Sequence, residues 1–114
     1  MPSIAKKISK FTKREIDYLF QHARRIFRDQ TCTILCAPRQ TDFARILIIA
    51  SRKVGNAPER NLLRRRIKSI FYEEKFFEHM FDYAIIAQKK LTDLSFDELK
   101  KIVLAAYKKS MQLQ

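Results

Sequence analysis

The chain has 114 residues, which is enough for one domain with a hydrophobic core of modest size. Lysine and arginine total 24 against 12 acidic residues, and the net charge of +12 indicates a polyanionic partner, because self-repulsion would otherwise oppose folding. No segment approaches the roughly 18 apolar residues of a membrane span, and the N-terminus lacks the apolar run of a signal peptide, so a cytoplasmic protein is expected.

The beginning of the chain predicts a basic tail followed by a helix. Residues 1–10 are expected to be flexible. Thr12 and Glu15 have the T-x-x-E spacing of a capping box, and apolar residues at helical spacing then extend to about Phe27. A short strand near Ile26–Phe27 is the alternative for the end of this segment.

Two strands are predicted next, at residues 31–37 and 44–51, from their β-branched and apolar content. Cys32 and Cys36 lie in the first strand, where extended geometry separates their Cα atoms by roughly 13 Å. A disulfide needs less than about 7 Å, so both cysteines are interpreted as reduced packing residues. The spacing does not favour a metal site that joins them to the two histidines of the chain.

A second helix, a third strand and a last helix complete the chain. Asn56 and Glu59 predict the start of the second helix, residues 83–87 the third strand, and Ser95 to Ser110 the last helix. The face of the second helix expected to pack on a sheet contains Leu63, Ile67, Ile70 and Phe71. The order helix, two or three strands, helix, strand, helix predicts one α+β domain over residues 1–114, with three helices on a small mixed sheet.

Residues 50–69 concentrate seven Lys/Arg residues around the only glycine of the chain, Gly55. Backbone N–H groups at a helix N-terminus bind phosphate well, and Gly55 would permit a close approach of the backbone. Like charges four residues apart destabilise a helix by a few tenths of a kcal/mol per pair, so this segment indicates a neutralising partner. The predicted nucleic-acid surface consists of Arg52, Lys53, Gly55, Asn56, Arg60, Asn61, Arg64, Arg65, Arg66 and Lys68.

The pattern favours RNA over the other polyanions. An interfacial membrane helix would need a broad apolar face, whereas the apolar stripe here is narrow and is needed for the sheet. The basic helix follows a strand and not another helix, which is unlike a helix-turn-helix reader of DNA. Strands and aromatic residues beside a basic helix fit single-stranded or structured RNA, where bases stack on aromatic faces.

Residues 53–69, KVGNAPERNLLRRRIKS, resemble the signature helix of the bacterial ribonuclease P protein subunit. The matching positions are Lys53, Gly55, Asn56, Ala57, Arg60, Asn61, Arg65 and Ile67. The segments FTKREIDYLFQH, DYAIIA and LSF resemble the flanking motifs of that family in the same order, so the resemblance covers nearly the whole chain. It implies an α+β fold with a left-handed βαβ crossover, contrary to the usual right-handed rule.

The resemblance also implies a function and a second binding surface. In this family a catalytic RNA with Mg²⁺ at its active site removes the 5′ leader of precursor tRNA, and the protein is a non-catalytic subunit. One protein joins one RNA, with no membrane partner. The basic helix and the loop before it would bind the RNA subunit. The leader would lie in a cleft between the first helix and the sheet, lined by Ile16, Phe20 and Ile34, with Arg45 and Ser51 nearby.

The chain departs from the family pattern at several positions. Leu62 replaces the second arginine of the R-N-R signature, and Arg66 one turn later is the candidate to compensate. Ile16 and Ile34 stand where aromatic residues are common, which predicts a cleft that holds the leader less by stacking, worth roughly 1–3 kcal/mol per base, and more by charge. Gln88 replaces the arginine after the last strand.

Two other classes of function stay open at this point. One is a structural RNA-binding protein, such as a ribosome-associated factor. The other is a protein-only nuclease, which would need a carboxylate cluster for Mg²⁺. The nearest approach to such a cluster is Asp93, Asp97 and Glu98, although a capping box with Ser95 explains Glu98 better. No metal ligands are assigned in the protein.

Overall fold

The computed structural model describes the backbone of residues 2–113 and the side chains of residues 5–113. The helices are α1 (Pro2–Lys7), α2 (Lys13–His22), α3 (Ala57–Glu73) and α4 (Phe96–Met111). The strands are β1 (Arg24–Arg28), β2 (Cys32–Pro38), β3 (Ile46–Ile49) and β4 (Phe81–Ala87), and short 3-10 helices at Phe76–Glu78 and Lys89–Asp93 flank β4. In this part of the chain, no helix is both long enough and apolar enough to span a bilayer.

The four strands form one mixed sheet in the order β1-β2-β4-β3. The pairs β1–β2 and β2–β4 are antiparallel, whereas β3 and β4 are parallel neighbours. Parallel neighbours need a long crossover, and α3 supplies it, so β3, α3 and β4 form the βαβ unit. The predicted α+β class and mixed sheet are therefore confirmed, while the hand of the crossover stays a prediction.

All three predicted helix starts are confirmed as reciprocal capping boxes. In α2, for example, the Glu15 N–H donates to Thr12 Oγ1 at 3.2 Å and the Thr12 N–H donates to Glu15 Oε1 at 2.8 Å. Asn56 and Ser95 make the same pair of bonds with the glutamate three residues later. Each box satisfies two backbone N–H groups that the helix itself leaves unpaired.

Two expectations for the N-terminal third are wrong. The first helix does not reach Phe27: it ends at His22, and β1 begins at Arg24 because this segment pairs with β2 and buries Ile26. The alternative of a strand at residues 26–27 is confirmed. Residues 8–10 also depart from the expected flexible tail, since Ile8 is buried in the core and its carbonyl accepts the Ile46 N–H at 2.7 Å.

The sheet is covered unequally on its two faces. α3 and α4 pack on one face and form the main core with it, and the four predicted core residues of α3 are all buried there. Cys32 and Cys36 are free and buried in the same core, as predicted, and burial raises the pKa of Cys32 to about 11. The other face carries α2, whose Leu19 packs on Ala37 and Ala84, and Phe11 packs against the same cluster.

Candidate nucleic-acid interface

α2 crosses only one end of its face of the sheet. At its N-terminal end, Glu15 contacts Arg45, the residue just before β3. At its C-terminal end, the chain enters β1 at Arg24, which lies opposite Cys36 near the start of β4. We call the remainder of this face the open face: it consists of the half-buried residues Thr33, Leu35, Leu47, Ile49 and Ile86, of which Leu35 and Leu47 pack against the Leu19 cluster at its border.

One flank of α2 forms a wall beside the open face. Leu19 points to the sheet and is fully buried. At about 100° per residue, Ile16 and Phe20 lie to one side of Leu19, and Glu15 lies to the other side, towards Arg45. Ile16 is half-buried and Phe20 is 40% exposed, so both predicted cleft residues of α2 border the open face and the Phe20 ring is available to a ligand.

Ile34 is not a cleft residue, contrary to the prediction. It is 2% exposed and packs in the main core on the opposite face of the sheet. Its neighbours Thr33 and Leu35 are the β2 residues that lie on the open face, because a shift of one residue along a strand reverses the face. The alternation Cys32–Ile34–Cys36, with a polar Thr33 between, is the sequence signal that could have shown this.

Arg45 lies at the end of the cleft region, but its guanidinium is not free to meet a phosphate. The residue is 4% exposed, and Nη1 donates to Glu15 Oε1 at 3.0 Å and to the Lys10 carbonyl at 2.8 Å. Nη2 lies 3.8 Å from Asp82 Oδ2. The bond from Arg45 lowers the pKa of Glu15, whereas burial raises the pKa of Asp82 to about 6. The expectation that Arg45 helps to line the cleft is therefore corrected: it acts within the protein.

One flank of α3 carries a continuous cationic strip, which we call the basic stripe. Its members are Arg60, Asn61, Arg64, Arg65 and Lys68. Asn61 and Arg65 are exposed on the side away from the buried apolar face, whereas Arg60, Arg64 and Lys68 border that face and are half-buried. Arg64 and Lys68 also line a groove of about 120 Å³ with Ser9, Leu47 and Ile48. Because Leu47 belongs to the open face as well, the stripe and the open face meet at the outer edge of β3.

The N-terminus of α3, where the sequence predicts a phosphate site, is capped from within. The Glu59 N–H donates to Asn56 Oδ1 and the Asn56 N–H donates to Glu59 Oε1, both at 2.9 Å. Pro58 has no N–H, and the Glu59 carboxylate already occupies the positive end of the helix dipole. A Cβ at Gly55 would lie 2.8 Å from Glu59 Oε1, so the glycine makes room for this cap and not for a ligand.

Leu62 and Arg66 lie on the opposite side of α3 from the centre of the basic stripe. They line a groove of about 190 Å³ with Leu91 and Leu99. Arg66 shares the side of Leu62, as the sequence predicted, and its Nη1 lies 3.4 Å from the Leu94 carbonyl. Arg66 therefore extends the positive charge towards α4 instead of adding to the stripe.

A crevice of about 260 Å³ lies at the carboxyl ends of β3 and β4. Exposed Ser51 and Lys53, both predicted site residues, stand at its rim, and Arg52 beside them is also exposed. In doubly wound α/β sheets ligands bind at the carboxyl ends of parallel strands, and β3 and β4 are the parallel pair of this mixed sheet. The crevice is lined by Ile49, Ser51, Lys53, Val54, Ile86, Ala87, Gln88 and Lys89.

Three cations of this region were not predicted. Lys89 lies two residues after the last strand and lines the crevice, and the pair of lysines after Gln88 is its signal. Arg25 and Arg28 of β1 pair with Leu35 and Thr33 and so share the side of the open face, a placement that no local pattern could show. All three side chains are exposed.

The carboxylates near the start of α4 are not gathered into a metal-binding group. Among the side chains of residues 5–113, no group of three or more His, Cys, Asp or Glu residues is placed to hold a metal ion. Glu98 accepts the Ser95 N–H at 2.9 Å, so it caps α4 as the sequence indicated.

Known proteins resemble this chain over most of its length. The family model described as Ribonuclease P matches residues 5–111. The ribonuclease P protein component of Petrotoga mobilis is 31% identical over 102 residues, which are 85% of this chain and 86% of that protein. That of Bacillus velezensis is 38% identical over 73 residues, 64% of this chain and 62% of that protein.

Solved structures match the fold. The RNase P protein of Staphylococcus aureus gives a TM-score of 0.76 at 19% identity and covers 89% of this chain and 93% of that chain. The RNase P protein from Thermotoga maritima gives a TM-score of 0.71 at 25% identity, with 84% and 91% covered.

Proposed function

The chain belongs to the family of ribonuclease P protein components, and from this membership we propose that it binds a catalytic RNA and the 5′ leader of precursor tRNA. In this proposal the RNA subunit, with Mg²⁺ at its own active site, hydrolyses the phosphodiester that joins leader and mature tRNA. The protein acts in the cytoplasm as one copy per RNA and has no membrane partner.

The observation that carries the proposal is the meeting of two unlike surfaces at β3. The basic stripe presents four cationic side chains along one helix, which suits the phosphate backbone of a folded RNA. The open face is a half-buried apolar floor beside an exposed Phe20, which suits the unstacked bases of a single strand. Because the basic stripe and the open face adjoin at β3, the leader of a precursor tRNA held on the RNA subunit would pass directly onto the open face.

Cations beside the open face, at the end of the sheet where β4 finishes, would hold the leader backbone. Lys53 and Lys89 stand at the crevice beyond β3 and β4, and Arg28 flanks the floor from β1. Phe20 is the aromatic residue at the wall for a base to stack on, since Ile16 is aliphatic and Ile34 is buried. The leader is therefore expected to be held by one stacking contact and several backbone contacts, with little dependence on its sequence.

The contribution of the protein to catalysis is binding and placement. Two RNAs held side by side repel each other, and a protein of net charge +12 between them offsets part of that repulsion. The same holoenzyme should therefore bind precursor tRNA at a lower Mg²⁺ concentration than its RNA subunit alone. Positioning of the substrate can lower the barrier without any catalytic side chain from the protein.

Reconstitution tests the proposal. The protein is mixed at low Mg²⁺ with the ribonuclease P RNA of the same organism, and cleavage of a precursor tRNA is followed. We expect cleavage at the mature 5′ end that depends on the protein. Salt-sensitive RNA binding without stimulation would favour the structural RNA-binding alternative, and cleavage by the protein alone with Mg²⁺ would favour a protein nuclease.

Two variants separate the two surfaces. Arg65→Ala removes an exposed cation of the basic stripe and should weaken binding of the RNA subunit. Phe20→Ala removes the exposed ring and should weaken binding of precursor tRNA while leaving affinity for the RNA subunit unchanged. Lys101→Ala, an exposed cation on α4, is the matched control that should change neither affinity.

A further inference from the structure

Arg45 is a buried cation that joins three separate parts of the fold. Nη1 bonds to the Lys10 carbonyl, at the end of the N-terminal segment, and to the Glu15 carboxylate on α2. The Arg45 N–H donates to Asp82 Oδ1 on β4 at 2.8 Å, and the guanidinium carbon lies 4.3 Å from the centre of the Phe11 ring. We call this set of contacts the Arg45 clamp.

The Arg45 clamp contains more contacts than an ion pair alone. Glu15 Oε1 receives both the Arg45 guanidinium and the Thr12 N–H, so the carboxylate that caps α2 is also the one tied to the sheet. One nitrogen, Nη1, bonds to both acceptors, and the planar guanidinium also stacks on the Phe11 ring, which the compact ammonium of a lysine would not do. Replacing buried ion pairs by apolar groups often leaves stability unchanged, so stability alone does not account for this arrangement.

The anchored residue lies one position before Ile16 and five before Phe20 on α2. Glu15 therefore fixes both the rotation of α2 and its height above the sheet at the wall of the open face. A rotation by one residue, about 100°, would turn Phe20 away from the open face. Gln40 Nε2 adds a bond to the Glu15 carbonyl at 2.9 Å, so the same turn of α2 is held through its backbone too.

From this geometry we propose that Arg45 is a positioning residue for leader binding, which sets α2 over the open face without touching the RNA. The inference rests on the proposed function, since it assigns the leader to the open face. It also explains why a cationic side chain at the end of the cleft is buried instead of exposed to the substrate.

Holoenzyme affinity with and without the leader tests the inference. Binding is measured for a precursor tRNA with its leader and for the same tRNA without it, and the ratio gives the leader-dependent gain. We expect Arg45→Lys and Arg45→Met to reduce this gain at least fivefold, with affinity for the RNA subunit changed less than twofold. Glu15→Gln, which keeps size and an acceptor oxygen, should give an intermediate loss.

Folding and placement are followed in the same variants. Thermal unfolding establishes that each variant is folded at the assay temperature, and amide NMR shifts report on α2 and α3 separately. Shifts confined to α2 and the open face, together with a reduced leader gain, would support positioning. An unchanged leader gain in folded variants, or an equal loss in both affinities, would overturn it.

The outcome is separable from that of the proposed function. If the unaltered protein gives no leader-dependent gain, both the leader assignment and the positioning role fail together. If the unaltered protein shows the gain and the Arg45 variants retain it, only the positioning role fails.

Discussion

Two neighbouring residues of β2 give a sharp test of which face meets the leader. Thr33 is half-buried on the open face, and Ile34 is 2% exposed on the core face. A tyrosine at residue 33 would offer a second aromatic surface on the open face, which Phe20 borders. Stacking of about 1–3 kcal/mol per base corresponds to roughly 5- to 150-fold in affinity, so Thr33→Tyr should strengthen leader binding within this range.

The same substitution one residue later should damage the fold instead. The space beside Ile34, walled by Phe71, Tyr83 and Ile85, is only about 10 Å³, too small for a phenol ring. Overpacking costs about 1–3 kcal/mol and a buried hydroxyl without a partner costs about as much again, so Ile34→Tyr should lower the unfolding free energy by about 2–6 kcal/mol. For a domain of 114 residues this lowers Tm by about 8–25 °C.

The assay compares both variants in leader-dependent holoenzyme binding and in thermal unfolding. The reasoning predicts opposite results: a gain in affinity with little change in Tm for Thr33→Tyr, and a loss of Tm without a gain in affinity for Ile34→Tyr. An Ile34→Tyr variant that keeps its Tm and binds the leader more tightly would refute the assignment of the faces. Thr33→Val is the control for size without an aromatic ring.

Three further predictions concern the cap, the stripe and the buried acid. Gly55→Ala should destabilise the protein by about 0.5–2 kcal/mol through loss of the Glu59 cap, and urea unfolding should show a smaller cost when Glu59 is already alanine. In RNA-subunit binding, Arg65→Ala should reduce the slope of log affinity against log salt by about one, and an unchanged slope would remove this residue from the contact. Asp82 has a pKa raised from 3.8 to about 6 by burial, so folding favours its protonated form and its contribution to stability should improve as pH falls from 7 through 6 to 4. Glu15 has a lowered pKa and burial lowers the pKa of His79, so both groups make the protein less stable as pH falls. The pH dependence of stability is therefore compared with that of Asp82→Asn, which should lack the improvement of about 3 kcal/mol. An identical pH dependence in both proteins would contradict this prediction.

The helix starts were predictable because they depend on residues close together in the sequence. Features that depend on contacts between distant residues, such as the end of α2, were not. A capping box needs residues three apart, so all three boxes could be identified from the sequence. The end of α2 could not, because β1 forms through pairing with β2 and its alternation is broken by an irregularity between Arg25 and Phe27. The helical spacing of the apolar residues continues past His22 in the sequence, but the helix ends there and the following residues hydrogen-bond to β2.

The candidate site divides in the same way. Helix periodicity is enough to place the members of the basic stripe along one flank of α3. The burial of Arg45 is not predictable in this way, because its partners Glu15 and Asp82 are 30 and 37 residues away and a charge is buried only where such partners meet it. Resemblance alone assigns Ile34 to the cleft, whereas the period of two along β2 places it on the face of Cys32 and Cys36.

Both free edges of the sheet are protected, each by a different device. The backbone of residue 8 occupies a hydrogen-bonding position along the start of β3, and β1 carries three exposed arginines along the opposite edge. Unprotected edge strands add to one another, and a chain synthesised before it meets its RNA would be exposed to that association. A chain shortened to begin at Phe11 would lose the cover over β3, and we expect it to aggregate at concentrations where the full chain stays dispersed.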